Sequence, residues 1–348
     1  MSEPILGIDL GTTNSEVAII QDGKPIVYEE DGDPILPSFV GLAEDGKLLV
    51  GKAARNQWIV APERTVKSIK RKVGQNVKVK LGDQEYRPQE ISAMILRALK
   101  DRAAAKLGQA IKKAVITVPA YFNDDQRNAT REAGELAGLE VVRILNEPTA
   151  ASLTYDPKSA DLHRILVYDL GGGTFDVSIV QAQDGVIEVL SSHGDTQLGG
   201  DDFDDLLFKH VVLKFQTQHG IDLAANVVAR ARSLRAVEEA KKQLSFHPFV
   251  RIEEEFIAEK DGQALHLQME VERHEYEALI RPLLDRTMDC VQRALEDAKL
   301  QPAALDKVVL VGGSTRTPLV SRLLEERLGQ PAHQEVNQIG RASCRERV

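Results

Sequence analysis

The stretches ILGIDLGTTNSEVAII (residues 5–20) and ILVYDLGGGTFDVSIV (residues 165–180) align with each other without a gap, so that Asp9 matches Asp169. Each stretch is an apolar run that ends in an aspartate, followed by a turn rich in glycine and threonine and by a second, alternating run. This pattern predicts two β-hairpins of the same design. Such an internal repeat indicates that the chain is built from two related halves.

The turns of the two hairpins have the composition of a phosphate-binding site. Glycines allow the backbone to approach a ligand closely, and successive N–H groups in a turn bind anions. Thr12, Thr13 and Thr174 add hydroxyl donors. Asp9 and Asp169 would repel a phosphate unless a divalent cation lay between them. The sequence therefore predicts two turns that hold a polyphosphate from both sides, without the Walker A motif.

A second pair of segments repeats this logic. KAVITVPAYFN (113–123) and KVVLVGGSTRT (307–317) are each a β-branched run that ends in a turn. Apolar residues at helical spacing follow each segment and predict helices over 124–138 and 318–328. The two pairs together predict an α/β protein with two lobes of similar topology, each with a mixed β-sheet and helices.

The organisation along the chain follows from these repeats. We expect lobe I over 1–160, with a strand-and-loop insert at about 38–86, and lobe II over 161–337. A mostly helical insert is expected at about 204–286, with a polar alternating stretch at 249–272, and the crossing between the lobes at 154–163. Further predicted helices are 88–107, one beginning near Thr149, and 283–298.

Composition excludes several classes of protein. The 348 residues are 43% hydrophobic and carry a net charge of −9, which suits a globular protein and disfavours nucleic-acid binding. No segment approaches the roughly 20 apolar residues that a membrane span needs. The two cysteines, Cys290 and Cys344, form no metal-binding or disulfide pattern, so we expect a cytoplasmic protein.

Seven segments of the chain together resemble the ATPase domain of heat-shock 70 kDa chaperones of the DnaK type. They occur in the order typical of that family and extend across both predicted lobes. The segments are GIDLGTTNS (7–15), ITVPAYFNDDQRNAT (116–130), NEPTAAS (146–152), YDLGGGTFDVS (168–178), GDTQLGGDDFD (194–204), EEAKKQLS (238–245) and VLVGGSTRTP (309–318).

The resemblance implies an actin-like fold, with ATP or ADP, Mg²⁺ and also K⁺ in a cleft between the lobes. It implies that Asp9 and Asp169 bind Mg²⁺ through water. The residues that it assigns to nucleotide binding are Gly11, Thr12, Thr13, Asn14, Gly171, Gly172, Gly173, Gly200, Glu238, Lys241, Lys242, Ser245, Gly312, Gly313, Ser314 and Arg316.

The resemblance also assigns a catalytic set, Lys70, Glu147, Asp169 and Thr174. A cation such as Lys70 stabilises charge that develops during phosphoryl transfer, although the residue types alone would also suit a solvated basic face. A carboxylate such as Glu147 can orient water, and it also suits the start of a helix.

The remaining assignments concern Thr174 and two residues outside the catalytic set, Pro119 and Arg127. Thr174 can donate a hydrogen bond to a γ-phosphate or serve the geometry of its turn. Pro119 and Arg127 match positions that relay the nucleotide state to a substrate domain in the family. Without the resemblance, they would be a strand terminator and a charge on a helix surface.

The implied function is that of a slow ATPase that couples the nucleotide state to the binding of unfolded polypeptide. The implied partners are a J-domain co-chaperone, a nucleotide exchange factor and the unfolded polypeptide itself. A sugar or glycerol kinase, or a filament-forming protein of the same superfamily, are the alternatives. The NEPTAAS and VPAYFNDDQR segments and Lys70 disfavour the kinase, and the insert with EEAKKQLS disfavours the filament protein.

The chain departs from the family pattern in two places. The segment after Lys70 is shorter than in common bacterial members. At the other end, QIGRASCRERV (338–348) lacks apolar periodicity, and one back-translation of it resembles a sequencing adapter. We therefore expect a non-native tail at 338–348 and no peptide-binding domain.

Resequencing of the locus tests the origin of this tail. We expect the native reading frame to differ from the printed sequence after about Asn337. A native gene that encodes RASCRERV would contradict this prediction.

Overall fold

A computed structural model describes residues 3–21, 24–152 and 161–333. The tail at 338–348 and most of the predicted crossing at 154–163 lie outside these residues. The secondary structure of the first half, in chain order, is β1 Ile5–Asp9, β2 Asn14–Gln21, β3 Lys24–Val27, β4 Leu36–Pro37, β5 Phe39–Leu42, β6 Leu48–Val50, α1 Lys52–Gln57, β7 Thr65–Lys67, β8 Val79–Leu81, β9 Gln84–Tyr86, α2 Pro88–Leu107, β10 Lys113–Val118, α3 Asp124–Leu136, β11 Glu140–Asn146 and α4 Glu147–Ser152.

The second half repeats the mixture of strands and helices. Its elements are β12 His163–Leu170, β13 Phe175–Gln183, β14 Val186–Asp195, α5 Gly200–His219, α6 Val227–Leu244, β15 Phe249–Lys260, β16 Gln263–Glu272, α7 Arg273–Asp297, β17 Lys307–Val311, α8 Pro318–Leu328 and β18 Ala332–His333. Short 3₁₀ helices occur at Pro62–Arg64, Ile69–Lys72, Leu223–Ala225, Pro302–Ala304 and Gly313–Arg316.

The internal repeat is confirmed by the topology of the two large sheets. The first has the order β11-β10-β1-β2-β3, with β4 also paired to β2, and the second has the order β14-β13-β12-β17-β18. In each sheet the hairpin strands are antiparallel, and the first of them runs parallel to the strand of the second repeated pair. Ile5 pairs with Lys113 and Ile165 with Lys307, so the repeats share even their register.

Each sheet has its own hydrophobic core, which explains why the chain divides into two lobes. In lobe I, strands β1, β2 and β10 pack against α2 and α3 through residues such as Ile8 and Leu96. In lobe II, Tyr168 and Phe175 lie in a larger core with residues of α5, α6, α7 and α8. The mixed sheets with flanking helices confirm the α/β, two-lobed class that the sequence predicts.

The structure corrects two predictions, the start of α7 and the content of the insert at 38–86. Helix α7 begins at Arg273, ten residues before the predicted start at 283, and continues through Pro282. Glu275 accepts the backbone N–H of Glu272, so this capping interaction, and not the proline, starts the helix. In the insert at 38–86, the helix α1 stands where only strands and loops were expected.

The alternating stretch at 249–272 forms two paired strands. It forms a long antiparallel hairpin, β15 and β16, with Val250 paired to Val271. Alternating residues such as Ile252 and Leu267 face the core of lobe II, while the residues between them are exposed. Among the described residues, no helix is long and apolar enough to cross a membrane.

A buried ion pair joins α5 to α6. Lys241 Nζ lies 2.8 Å from Asp204 Oδ2, and both side chains are almost fully buried. Removal from water raises the pKa of Asp204 to about 6, although Lys241 opposes the shift. A carboxyl with a raised pKa in the native state binds a proton there at a pH at which the unfolded chain has released it.

We predict that Asp204 stabilises the fold more at pH 4 than at pH 7. The contribution is fully present below the unfolded pKa near 4 and is lost as pH rises through about 6. Asp204→Asn removes this dependence, so the unfolding free energy of the wild type should fall relative to the variant by up to about 3 kcal/mol. Urea denaturation followed by the single tryptophan, Trp58, measures it. Equal pH dependence of the two proteins would contradict the prediction.

Candidate functional site: a cleft between the two lobes

The two hairpin turns lie against each other where the lobes meet. A Cβ atom added at Gly172 would overlap Thr13 Oγ1, and one added at Gly173 would overlap the side chain of Thr12. Any larger residue at these two glycines would therefore push the lobes apart. The structure thus brings together the two turns that the sequence predicted from the repeat.

The turn of lobe II is fixed by backbone hydrogen bonds. Gly171 N–H donates to Thr174 O at 3.0 Å, which closes the turn. The carbonyl oxygens of Gly171 and Gly172 accept N–H groups of Gly200 and Asp201, at 3.0 and 2.7 Å. The N-terminus of α5 therefore lies directly behind the turn, and its positive dipole end favours an anion at this place.

A cavity of about 330 Å³ opens beside the turns and is lined by both lobes. Most of the residues assigned to the site line it. They are Asp9, Gly11, Thr12, Thr13, Asn14, Lys70, Glu147, Asp169, Gly171, Gly172, Thr174, Glu238, Lys241, Lys242, Ser245, Gly312, Gly313, Ser314 and Arg316.

At one end of the cavity, Lys70 and Glu147 form a buried ion pair. Nζ and Oε1 are 2.8 Å apart, and each side chain is 5% exposed. Lys70 comes from the 3₁₀ helix that follows the left-handed residue Ser68, and Glu147 is the first residue of α4. The burial of Lys70 beside an acid argues against a solvated basic face, because the charged ends of lysines on such a face stay in water.

Acidic side chains surround this ion pair. Asp9 and Asp169 are each 4% exposed, and Thr117 Oγ1 donates to Asp9 Oδ1 at 3.2 Å. Asp176 faces Asp169 across the hairpin and accepts the N–H of Tyr121 at 2.9 Å. Burial raises the pKa of Asp176 well above its usual value, and the negative charges of Glu147 and Asp169 raise it further.

This environment fits a bound cation. Burial is the main cause of the raised pKa of Asp176, and the additional rise caused by Glu147 and Asp169 would be relieved by a positive charge among these carboxylates. Within the described residues, no three acidic, histidine or cysteine side chains form a ready-made metal cage. Asp9 and Asp169 supply two buried carboxylates of the kind that hold Mg²⁺, an ion that retains water molecules and is bound through one or two carboxylates together with phosphate oxygens.

The other end of the cavity is built by α6 and by the turn after β17. Lys241 Nζ donates to Gly200 O at 3.0 Å, and Ser314 Oγ donates to Gly171 O at 2.9 Å. Gly312 has φ of 89°, and a Cβ there would overlap the carbonyl of Leu170. A glycine is required at this position for both reasons, and it allows the turn after β17 to approach the glycine-rich turn of lobe II.

Four of the assigned residues do not line the cavity. Gly173 O accepts Arg71 Nε at 2.9 Å, and Gly200 begins α5 behind the turn. Arg127 donates to Ala120 O, to Phe122 O and to Asn146 Oδ1, the last at 2.8 Å. It thereby joins the segment after Pro119 to the strand end that precedes Glu147. Pro119 and Arg127 do not line the cavity, and Arg127 is linked to it through Asn146, the residue before Glu147.

Sequence reasoning missed several residues that the structure places at the site. Ile35, Arg55, Phe246 and Thr317 line the cavity, and Asp176 lies behind it. The repeat could have indicated Asp176, because this residue aligns with the buried Glu16. Nothing local in the sequence singles out Arg55, since it lies on the exposed helix α1.

Side chains also connect the two lobes across the cleft. Arg71 forms an ion pair with Asp202, and Ser68 Oγ donates to Asp201 Oδ2 at 2.5 Å. At the mouth of the cavity, Arg55 lies 3.3 Å from Glu238, which also pairs with Lys242 at 2.7 Å. Arg55 belongs to lobe I and Glu238 to lobe II, so this pair spans the opening.

Comparison with known proteins agrees with this geometry. Chaperone proteins DnaK of Thermotoga neapolitana and Thermotoga petrophila are each 50% identical to the chain over 339 residues. The matched region is 96% of this chain and 57% of each relative, so the chain spans little more than half of their length. The sequence profile described as Hsp70 protein matches residues 5–80 and 75–340. Because this match covers nearly the whole sequence, the chain belongs to the Hsp70 family.

Proposed function

We propose that this chain binds ATP and hydrolyses it slowly to ADP and phosphate, as the nucleotide-binding part of a molecular chaperone. The observation that carries the proposal is the pair of Asp-Gly turns in contact across the cleft, with the buried Lys70–Glu147 pair beside them. The turns suit a polyphosphate, and the lysine supplies positive charge at the end where the acidic groups cluster.

In this proposal, the chain acts on the phosphate by position and charge. Backbone N–H groups of residues 11–14 and 171–173, with the hydroxyls of Thr12, Thr13 and Thr174, hold the phosphates. Lys70 lies where it can stabilise the charge that develops on the transferred phosphoryl group. Glu147 keeps the ammonium group of Lys70 in place and can orient the attacking water.

The buried carboxylates complete the proposed site. Asp9 and Asp169 would hold Mg²⁺ through water, and when bound the ion neutralises charge on the phosphate oxygens. A K⁺ ion is a second cation that the same acidic wall could accept. Asp176, with its raised pKa, holds the backbone of Tyr121 against this wall.

The nucleoside is proposed to lie between α6 and the turn after β17. The end of α6 supplies Glu238, Lys241 and Lys242, and Ser245 follows its last residue. Gly312, Gly313, Ser314 and Arg316 form the facing wall. This arrangement leaves the phosphates directed towards Lys70.

The chaperone role rests on family membership. We propose that in a longer protein this unit couples its nucleotide state to the binding of unfolded polypeptide, with a J-domain co-chaperone and a nucleotide exchange factor as partners. Pro119 and Arg127 would carry the nucleotide state outwards, since Arg127 braces the segment that precedes Glu147. The low cysteine content suits a cytoplasmic location.

No feature of the described residues favours a sugar kinase or a filament protein over this proposal. A direct test measures ATP turnover with candidate sugars and, separately, with unfolded peptide and a J-domain protein. We expect no stimulation by sugars. Turnover that depends on a sugar would overturn the proposed function.

Substitution of Lys70 tests its proposed catalytic role. We expect Lys70→Ala to retain ATP binding but to lose about 10²- to 10³-fold in single-turnover hydrolysis, because an electrostatic contact made in the transition state is removed. Lys72→Ala is the matched control, since Lys72 lies in the same 3₁₀ helix but is exposed. Lys70→Ala that hydrolyses at the wild-type rate would remove Lys70 from the catalytic set.

Substitution of Arg55 tests the ion pair that it forms with Glu238 at the mouth of the cavity. Arg55→Ala should accelerate ADP release about 1.5- to 5-fold, because a half-buried ion pair contributes about 0.2–1 kcal/mol to holding the lobes together. Stopped-flow release of a fluorescent ADP analogue measures this rate. Lys52→Ala is the control, since Lys52 shares α1 but pairs with Asp33. If both variants released ADP at the wild-type rate, the pair would not hold the nucleotide.

A further inference from the structure

Phe246 occupies an unusual place for an aromatic residue. It follows Ser245 at the C-terminus of α6 and lines the cavity between the lobes, yet 69% of its surface is exposed. Its backbone is held in place, because its N–H donates to Gln243 O at 2.9 Å. The ring belongs to neither of the large hydrophobic cores. It is therefore a firmly anchored aromatic group beside a ligand cavity.

The chemistry of the cavity makes this ring distinctive. Among the described residues that line it, the apolar side chains larger than glycine are those of Ile35 and Phe246, and the others are polar or charged. A nucleobase has two apolar faces that favour an aromatic surface over water. Phe246 is the aromatic surface that the lining residues offer to such a face.

The position along α6 matches the uncharged part of a nucleotide. Lys241 contacts Gly200 O, next to the turn that suits phosphate, and Phe246 comes five residues later. Three of these residues complete α6, which ends at Leu244, and Ser245 and Phe246 form the turn that follows. The C-terminal end of a helix dipole is negative and disfavours phosphate, so the group beside Phe246 should be the base.

We propose that the ring of Phe246 stacks on the base of the bound nucleotide and sets the affinity for it. This inference rests on the proposed function, since it assumes a nucleotide in the cavity. It adds a residue that determines affinity without contacting the phosphates or the reacting atoms. The ring stands on α6 of lobe II, so its contribution should be the same for ADP and ATP.

Isothermal titration with ADP and with inorganic tripolyphosphate tests the proposal, at a fixed Mg²⁺ concentration. Phe246→Ala should weaken ADP binding about 5- to 150-fold, the range that corresponds to one aromatic–base stack, while Phe246→Trp retains it. Tripolyphosphate, which has no base, should bind all variants equally. Phe249→Ala is the matched control, because Phe249 is 53% exposed and does not line the cavity.

The outcomes separate this inference from the proposed function. If Phe246→Ala bound ADP as tightly as the wild type, stacking would be overturned and nucleotide binding would stand. An equal loss of ADP and tripolyphosphate would also overturn stacking, because it would indicate a disturbed cavity. A wild-type chain that bound no ADP would overturn both proposals.

Discussion

The rest of the structure depends on the close approach of two backbone turns. Gly172 and Gly173 of lobe II lie against Thr13 and Thr12 of lobe I, with no room for a side chain at either glycine. A β-hairpin can present its turn in this way only if the sheet behind it is rigid, and each hairpin is the centre of a mixed sheet with its own core. The two lobes therefore serve as supports that hold two glycine-rich turns face to face.

Electrostatics gives this arrangement its chemical character. Asp9, Asp169 and Glu147 are buried beside the turns, and burial raises the pKa of Asp176 well above its usual value, with a further rise from the charges of Glu147 and Asp169. Lys70 supplies a buried positive charge at this wall, 2.8 Å from Glu147. Buried charges lower the stability of a fold unless they are well paired, and clusters of them are typical of functional sites. A phosphate chain with its cation would bring the complementary charges into the same cavity.

The contacts between the lobes divide into partly buried and more exposed ones. Near the turns, Arg71 reaches Gly173 and Asp202 at partly buried positions. At the mouth, the pair between Arg55 and Glu238 is more exposed and shares its acid with Lys242. A cleft that is held firmly at its base and weakly at its mouth suits a site that must admit and release its ligand.

The sequence by itself determined the hairpin repeat and the two-lobed α/β class, because these depend on local periodicity and on turns that require glycine. The resemblance of seven segments to heat-shock 70 kDa ATPase domains indicated most of the residues that line the cavity. The sequence placed the start of α7 wrongly, since Pro282 resembles a helix boundary while the capping interaction of Glu275 lies ten residues upstream. Only the tertiary structure decided that Lys70 pairs with Glu147, that Arg55 spans the mouth and that Phe246 faces the cavity. These contacts join residues far apart in the chain, and their partners are chosen by the packing of the lobes and not by any neighbouring residue.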